Sequence, residues 1–185
     1  MILVYGLKKS GISAANLLIK KNQEVKIWDD DKSVRNNLVK KFDKKFFFNP
    51  QSDNLNNFKK IYVSPGISLR QKKFNLLNKS VKLLRDLNLY ISNLNIKNVI
   101  AITGTNGKST TTKLIGDILK RNNIKTFVGG NIGEPLCNSL TSNKKFKYHV
   151  VELSSFQLEK IHNFFSKISI ITNLSNDHLD RYKSI

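Results

Sequence analysis

Gly104-Thr105-Asn106-Gly107-Lys108-Ser109 places a lysine and a hydroxyl directly behind a glycine turn, which is chemistry suited to a nucleoside triphosphate. The β-branched run Val99–Ile102 leads in, and Lys108 opens a stretch with helical spacing, with Thr110 in its first turn. Strand, glycine loop and helix in that order aim backbone N–H groups and a positive helix end at one point, where polyphosphate binds. Lys108 would reach the β- and γ-phosphates, and the Ser109 hydroxyl would complete the coordination of Mg²⁺. The spacing is the short G-x-x-G-K-S form. The longer loop of ordinary P-loop ATPases and kinases needs a glycine at position 102, where Ile102 stands. A chance strand–turn–helix is the bland alternative, and the intact context on both sides weighs against it.

Three further groups could do chemistry. Glu152 ends the apolar run Tyr148–Leu153, and a carboxylate at the C-terminal end of a parallel strand beside a phosphate loop is placed for a second Mg²⁺ contact. His178, with Asp177 and Asp180, follows another strand-like run and could bind metal or orient phosphate; a lone histidine is more often structural. Gly6-Leu7-Lys8-Lys9-Ser10-Gly11 follows the first strand and opens a helix, with Asp29 and Asp30 at the end of the second strand. That is the layout of a dinucleotide fingerprint whose middle glycine is replaced by Lys8. It suits a loop cradling a nucleotide diphosphate with an acid near the ribose or base, or else a plain strand–helix turn.

The elements that position these groups alternate from the first residue. Strands are predicted at Ile2–Tyr5, Glu24–Trp28, Ile61–Val63 and Val81–Leu84, with helices at Ile12–Lys21, Lys32–Phe42 and Leu69–Leu77, and Leu87–Leu94 helical or irregular. Ser64-Pro65-Gly66 is a turn signal. From Asn98 a second series begins: strands Val99–Ile102, Thr126–Val128, Tyr148–Leu153 and Ile168–Thr172, a helix from Lys108 to Lys120, a Gly129–Gly133 loop and a helical turn at Phe156–Ile161. This is the rhythm of α/β parallel sheets with crossover helices. The expected division is a Rossmann-like domain over residues 1–94 and an incomplete P-loop-type parallel-sheet domain over 95–185. The second series stops after about four strands without a closing crossover, as if cut inside a domain.

Composition narrows the class. The 185 residues carry a formal charge of +19, which raises nucleic acid or anionic membrane as partners. The lysines, however, are scattered through every segment beside many asparagines, with no aromatic-interleaved basic patch, so solvated faces are the expectation and neither partner is expected. Cys137 is the single cysteine, which excludes an intrachain disulfide and a cysteine metal cluster. No run approaches the roughly 18 apolar residues of a membrane span, and the first residues lack a basic leader, so a cytoplasmic location is expected.

In order along the chain, Ala101–Thr110, Gly129-Gly-Asn-Ile-Gly133, Val151–Glu159 and Asn176–Tyr182 resemble the Mur ligase superfamily, with Ser64–Ile67 and the Gly6–Gly11 loop agreeing. The E-L-S-S-F-Q-L-E and G-G-N-I-G blocks resemble its D-glutamate-adding branch. The resemblance implies an ATP- and Mg²⁺-dependent amide ligase of peptidoglycan assembly acting on UDP-N-acetylmuramoyl-L-alanine and D-glutamate, monomeric at full length. By the same resemblance Gly6, Ser10 and Gly11 lie near the UDP phosphates, Asp29 near the uridine, and Ser64, Pro65 and Gly66 along the ligand. Gly104 to Thr110 would hold ATP, with Lys108 catalytic. Ser109 and Glu152 would ligate metal, His178 would serve a second metal and the catalysis, and Asn131 and Gln157 would contact the muramoyl substrate. Members of the superfamily are longer and have three domains, so little or no ligation is expected from these 185 residues alone.

Overall fold

Four-residue, mainly apolar strands set the first layer of the computed structural model, which describes residues 1–49, 53–94, 97–161 and 163–176. Strands β1 (Ile2–Tyr5), β2 (Val25–Trp28), β3 (Lys60–Val63) and β4 (Lys82–Arg85) form a parallel sheet in the order β2-β1-β3-β4. Helices α1 (Lys9–Lys20), α2 (Lys32–Leu38), α3 (Lys72–Asn75) and α4 (Asp86–Asn93) alternate with or follow them. A second parallel sheet, order β6-β7-β5-β8, contains β5 (Val99–Thr103), β6 (Thr126–Gly130), β7 (Tyr148–Glu152) and β8 (Ile168–Ile171). Its helices are α5 (Lys108–Arg121), α6 (Asn138–Thr141) and α7 (Ser155–Leu158).

Alternation along the strands explains how the two sheets share a core. Val4 and Tyr62 of the first sheet and Val99, Ala101 and Val151 of the second belong to one buried cluster, filled between by Ala14, Leu17 and Leu18 of α1, Leu87, Leu89 and Tyr90 of α4, and Leu136 and Cys137. Leu3, Tyr5, Ile61 and Val63 point the other way into a separate cluster, and Ile100, Ile102 and Val150 pack beneath α5 with Ile115 and Leu119. Burying each large aliphatic side chain contributes about 1.5–3 kcal/mol, so the shared cluster is the main attachment between the sheets. Polar contacts add direction to it: Ser13 donates to Asn138 Oδ1 at 2.6 Å, Lys20 to the Thr141 carbonyl at 2.7 Å, and Tyr90 Oη lies 2.7 Å from His149 Nδ1.

Three predicted helices are shorter than their apolar spacing suggests. The helix from Lys32 ends at Leu38 rather than Phe42, because Asp43 accepts from Lys45 N–H and starts a separate 3₁₀ turn at Lys44–Phe46. The segment Leu69–Leu77 is helical only over Lys72–Asn75, whose N-terminus has no side-chain cap. The turn at Phe156–Ile161 is α7, already over at Leu158: Glu159 is extended (φ −58°, ψ 128°) and Lys160 takes φ +57°. Helix α6 lies between the Gly129–Gly133 loop and β7, in a stretch for which the sequence reading names no element.

Candidate functional site

Three elements of the second sheet bring their ends together. Strand β5 finishes at Thr103, the loop 104–107 turns, and α5 starts behind Gly107, its left-handed N-cap (φ +79°). Gly104 has no substitute here: φ is +129°, and a Cβ would lie 2.3 Å from Thr172 Oγ1. The loop tip is tied to the chain after β8, since Thr105 N–H donates to the Asn173 carbonyl (3.1 Å) and Asn106 N–H to Asn173 Oδ1 (2.9 Å). Two of the amides in the predicted nest are therefore engaged. The N–H groups of Gly107 to Thr110 remain at the helix start, where the first four amides have no intrahelical acceptor. Lys108 folds over its own loop, donating to the carbonyls of Gly104 and Thr105 at 2.7 Å each.

Glu152 joins this loop to the rest of the molecule. It is 1% exposed at the end of β7, with Oε2 accepting from Ser109 Oγ at 2.8 Å and Oε1 from Asn131 Nδ2 at 2.9 Å. A buried carboxylate is tolerated only with such partners. Asn131 is held in turn, its N–H donating to the Glu152 carbonyl at 2.9 Å. Hydroxyl and carboxylate oxygens beside a helix N-terminus are hard donors, and they fit Mg²⁺, which keeps one or two protein carboxylates and takes its other ligands from phosphate and water. Among the described residues no three His, Cys, Asp or Glu side chains gather as a metal cluster. His178 lies outside the described residues.

A cavity of about 650 Å³ opens beside Asn131. Gly6, Ser10, Asp29, Ser64, Pro65, Gly66, Asn131 and Gln157, all singled out from sequence, line it. Lys8, Lys9, Asp30, Asp31 and Ile67 line it too; Lys8, Lys9 and Asp30 stand in the loop-and-acid layout read from sequence and Ile67 in the Ser64–Ile67 block, though none was given a role of its own, and Asp31 carried no signal. Gly11 does not line it. Its role is close packing, because a Cβ there would stand 1.8 Å from the Gly6 carbonyl oxygen. Asp29 also has a local task, accepting from Leu7 N–H at 2.6 Å and Asp31 N–H at 3.0 Å, so its carboxylate shapes the loop. Lys8 has φ −79°, a conformation open to any residue, so the missing glycine costs the backbone nothing. Gln157 is 1% exposed, its Oε1 accepting from Ser154 N–H at 3.1 Å and its Nε2 reaching Asp86 at 3.5 Å.

Behind the cavity lies a layer of buried titratable groups between the sheets. Burial pushes Asp86 up to about 6, against the lowering pull of Gln157, and pushes the His149 imidazole down to about 4. Burial likewise drives the Cys137 thiol far above its ordinary range, so it stays protonated and inert. Asp30, at the cavity edge, is held below the usual carboxylate range by Lys73 (2.5 Å), Tyr5 and Trp28, which outweigh its partial desolvation.

The 104–109 loop, the strand-end carboxylate and the cavity stand in one arrangement, and comparison with known proteins gives it a family. Residues 1–82 match the model of the Mur ligase MurD-like N-terminal domain, and residues 102–185 that of the Mur ligase middle domain. The chain belongs to the Mur ligase family. It is 36% identical over 187 residues to the UDP-N-acetylmuramoylalanine–D-glutamate ligase of Wolbachia pipientis wMel, covering 100% of this chain and 36% of that protein. The ligase of the same name from Caldicellulosiruptor saccharolyticus is 35% identical, with 100% and 42% covered, and that from Rickettsia bellii 36% identical, with 98% and 40% covered. The chain thus spans well under half the length of these relatives. Among solved structures it shares its fold with the UDP-N-acetylmuramate–alanine ligase MurC of Thermotoga maritima (TM-score 0.58, 24% identity, 98% of this chain and 43% of that one). It also shares it with the UDP-N-acetylmuramate:L-alanyl-γ-D-glutamyl-meso-diaminopimelate ligase of Neisseria meningitides (TM-score 0.54, 15% identity, 98% and 62%).

Proposed function

We propose that these residues form the UDP-sugar and ATP sites of an enzyme that adds D-glutamate to UDP-N-acetylmuramoyl-L-alanine, acting in the cytoplasm in peptidoglycan synthesis. The observation that carries the reading is the Glu152 carboxylate, one oxygen on Ser109 of the phosphate loop and the other on Asn131 of the cavity. One acid therefore registers the phosphate end of a nucleotide against the far end of a bound sugar. The division is residues 1–94 for UDP-sugar recognition and 95–185 for ATP.

In this reading Lys8, Lys9 and the amides at the start of α1 face the UDP diphosphate, and Asp29 to Asp31 face the uridine. Lys108 would leave its loop carbonyls for phosphate oxygens, and Ser109 and Glu152 would hold Mg²⁺. When bound, that ion supplies charge neutralisation, without which a carboxylate and a γ-phosphate repel each other. The alanyl carboxylate oxygen would attack the γ-phosphorus of ATP, with ADP leaving, to give an acyl phosphate; the D-glutamate amine would then add to the acyl carbon, lose a proton, and the tetrahedral intermediate would expel inorganic phosphate to leave the amide. Asn131 and Gln157 orient the muramoyl end. The chain spans well under half the length of its relatives, and in this reading it binds both nucleotides with little or no ADP release.

Calorimetric titration of this chain with UDP-N-acetylmuramoyl-L-alanine, with and without a non-hydrolysable MgATP analogue, tests the reading. Saturable binding of both ligands is expected. A sugar nucleotide that does not bind, or binds as well after Ser64→Trp fills the cavity, would refute it.

A further inference from the structure

Arg85 and Asp86, at the junction of β4 and α4, both reach out of the first sheet toward the second. Arg85 is fully buried. Its Nη1 donates to the carbonyls of Ser64 (3.0 Å) and Ile67 (2.8 Å), with the Val63 carbonyl at 3.4 Å, and its Nη2 meets the Glu159 carboxylate across the interface. Asp86 faces Gln157, two residues before Glu159. The Ser64–Ile67 turn is one wall of the cavity and Gln157 lies in the other. The guanidinium therefore stands behind both walls at once, touching backbone on one side and a carboxylate of the other sheet on the other.

Both ends of this strut are fixed locally. Asn88 Oδ1 accepts from Arg85 N–H at 2.8 Å, which holds the arginine backbone at the start of α4. On the far side Ser154 and Gln157 cap α7 reciprocally, and the helix stops so that Glu159 turns toward the arginine. A planar fork with five donors suits this task, and a lysine ammonium on a flexible stem does not. Buried ion pairs repay their desolvation poorly, so stability alone is a weak reason for one, and the fixing of register is their best-attested use.

We propose that Arg85 is a positioning residue: it sets the distance between the two walls of the cavity by holding the Ser64–Ile67 turn and Glu159 with one guanidinium. It touches no ligand itself. Its consequence for affinity rests on the cavity being the UDP-sugar site, whereas its mechanical role does not.

Amide hydrogen exchange on the full chain tests the mechanical role. Glu159→Gln, at a side chain only 20% exposed, keeps the shape of the contact and removes its charge; it is expected to raise exchange several-fold in peptides covering residues 63–68 as well as 154–160, with 104–110 unchanged. Arg85→Lys should do the same more strongly. An increase confined to 154–160, or one spread over the whole chain, would overturn the proposal. Where the parent chain binds UDP-N-acetylmuramoyl-L-alanine, Arg85→Lys should raise its Kd roughly tenfold while the ATP-analogue Kd stays within about twofold, and equal weakening of both ligands would count against it. Failure of the parent chain to bind the sugar nucleotide would instead refute the cavity's assignment, and the exchange result still decides for Arg85.

Discussion

Lys108 donates to the carbonyls of Gly104 and Thr105, bonds that a phosphate would exchange for stronger ones. Removing it should therefore hurt nucleotide binding far more than folding. Lys108→Ala is expected to weaken an ATP analogue roughly 10–100-fold, the loss of charge-assisted hydrogen bonds, with the melting temperature nearly unmoved. Glu152 separates differently. Glu152→Gln keeps a polar group between Ser109 and Asn131 but removes the charge that Mg²⁺ needs, so analogue affinity should fall about tenfold or more with Mg²⁺ present and change little with EDTA. Equal affinities with Mg²⁺ present would sink the metal assignment. The places of Lys108, Ser109 and Glu152 were legible because they are encoded by neighbours: a glycine turn, a helix start, a strand end. Arg85 was not. Its partners Ser64, Ile67 and Glu159 are remote in sequence, and an arginine at the end of a buried strand has meaning only once both sheets are in place.

Elements show the same division between local and remote causes. Strands such as β5 and β7 were readable because β-branched runs buried on both faces leave little alternative, and so was α5, with its glycine N-cap. Helix ends were less so, since Asp43 and Glu159 end their helices for partners that periodicity does not reveal. The interface between α4 and β7 supplies a test at this scale. His149 is preferred neutral by the fold, so its contribution to stability is complete above its ordinary pKa near 6.5 and is lost as pH falls toward about 4. Asp86 is also preferred neutral, but being an acid it contributes fully below 3.8 and its contribution is lost as pH rises through about 6. The two slopes oppose each other over the same window. Asp86→Asn should steepen the loss of melting temperature between pH 6.5 and 4, and His149→Gln should flatten or reverse it. Parallel profiles for both variants would show that these two groups do not govern acid stability.

At the scale of the molecule the two sheets are unequal. The edge strands of the first, β2 and β4, each carry a lysine, whereas β8 lies at an edge of the second with Ile168 47% and Ile171 61% exposed, and Phe165 and Leu174 are exposed beside it. Leu114 and Ile118 on α5 add apolar surface on the same half. Alternation puts Ile168 and Ile171 on opposite faces of β8, so neither face of that strand is covered among the described residues. An uncharged edge strand with an apolar surface on each side is a template for pairing with another chain. The 185-residue protein is therefore expected to self-associate through β8 as its concentration rises, despite a net charge of +19 that opposes association. Raising salt should promote it by screening that repulsion. Ile168→Lys with Ile171→Lys should shift sedimentation toward the monomer and reduce binding of an apolar dye, without altering sugar-nucleotide affinity, because the cavity lies at the other end of the sheet order, beside β6 and β7. Association that persists unchanged in the double variant would assign it to another surface.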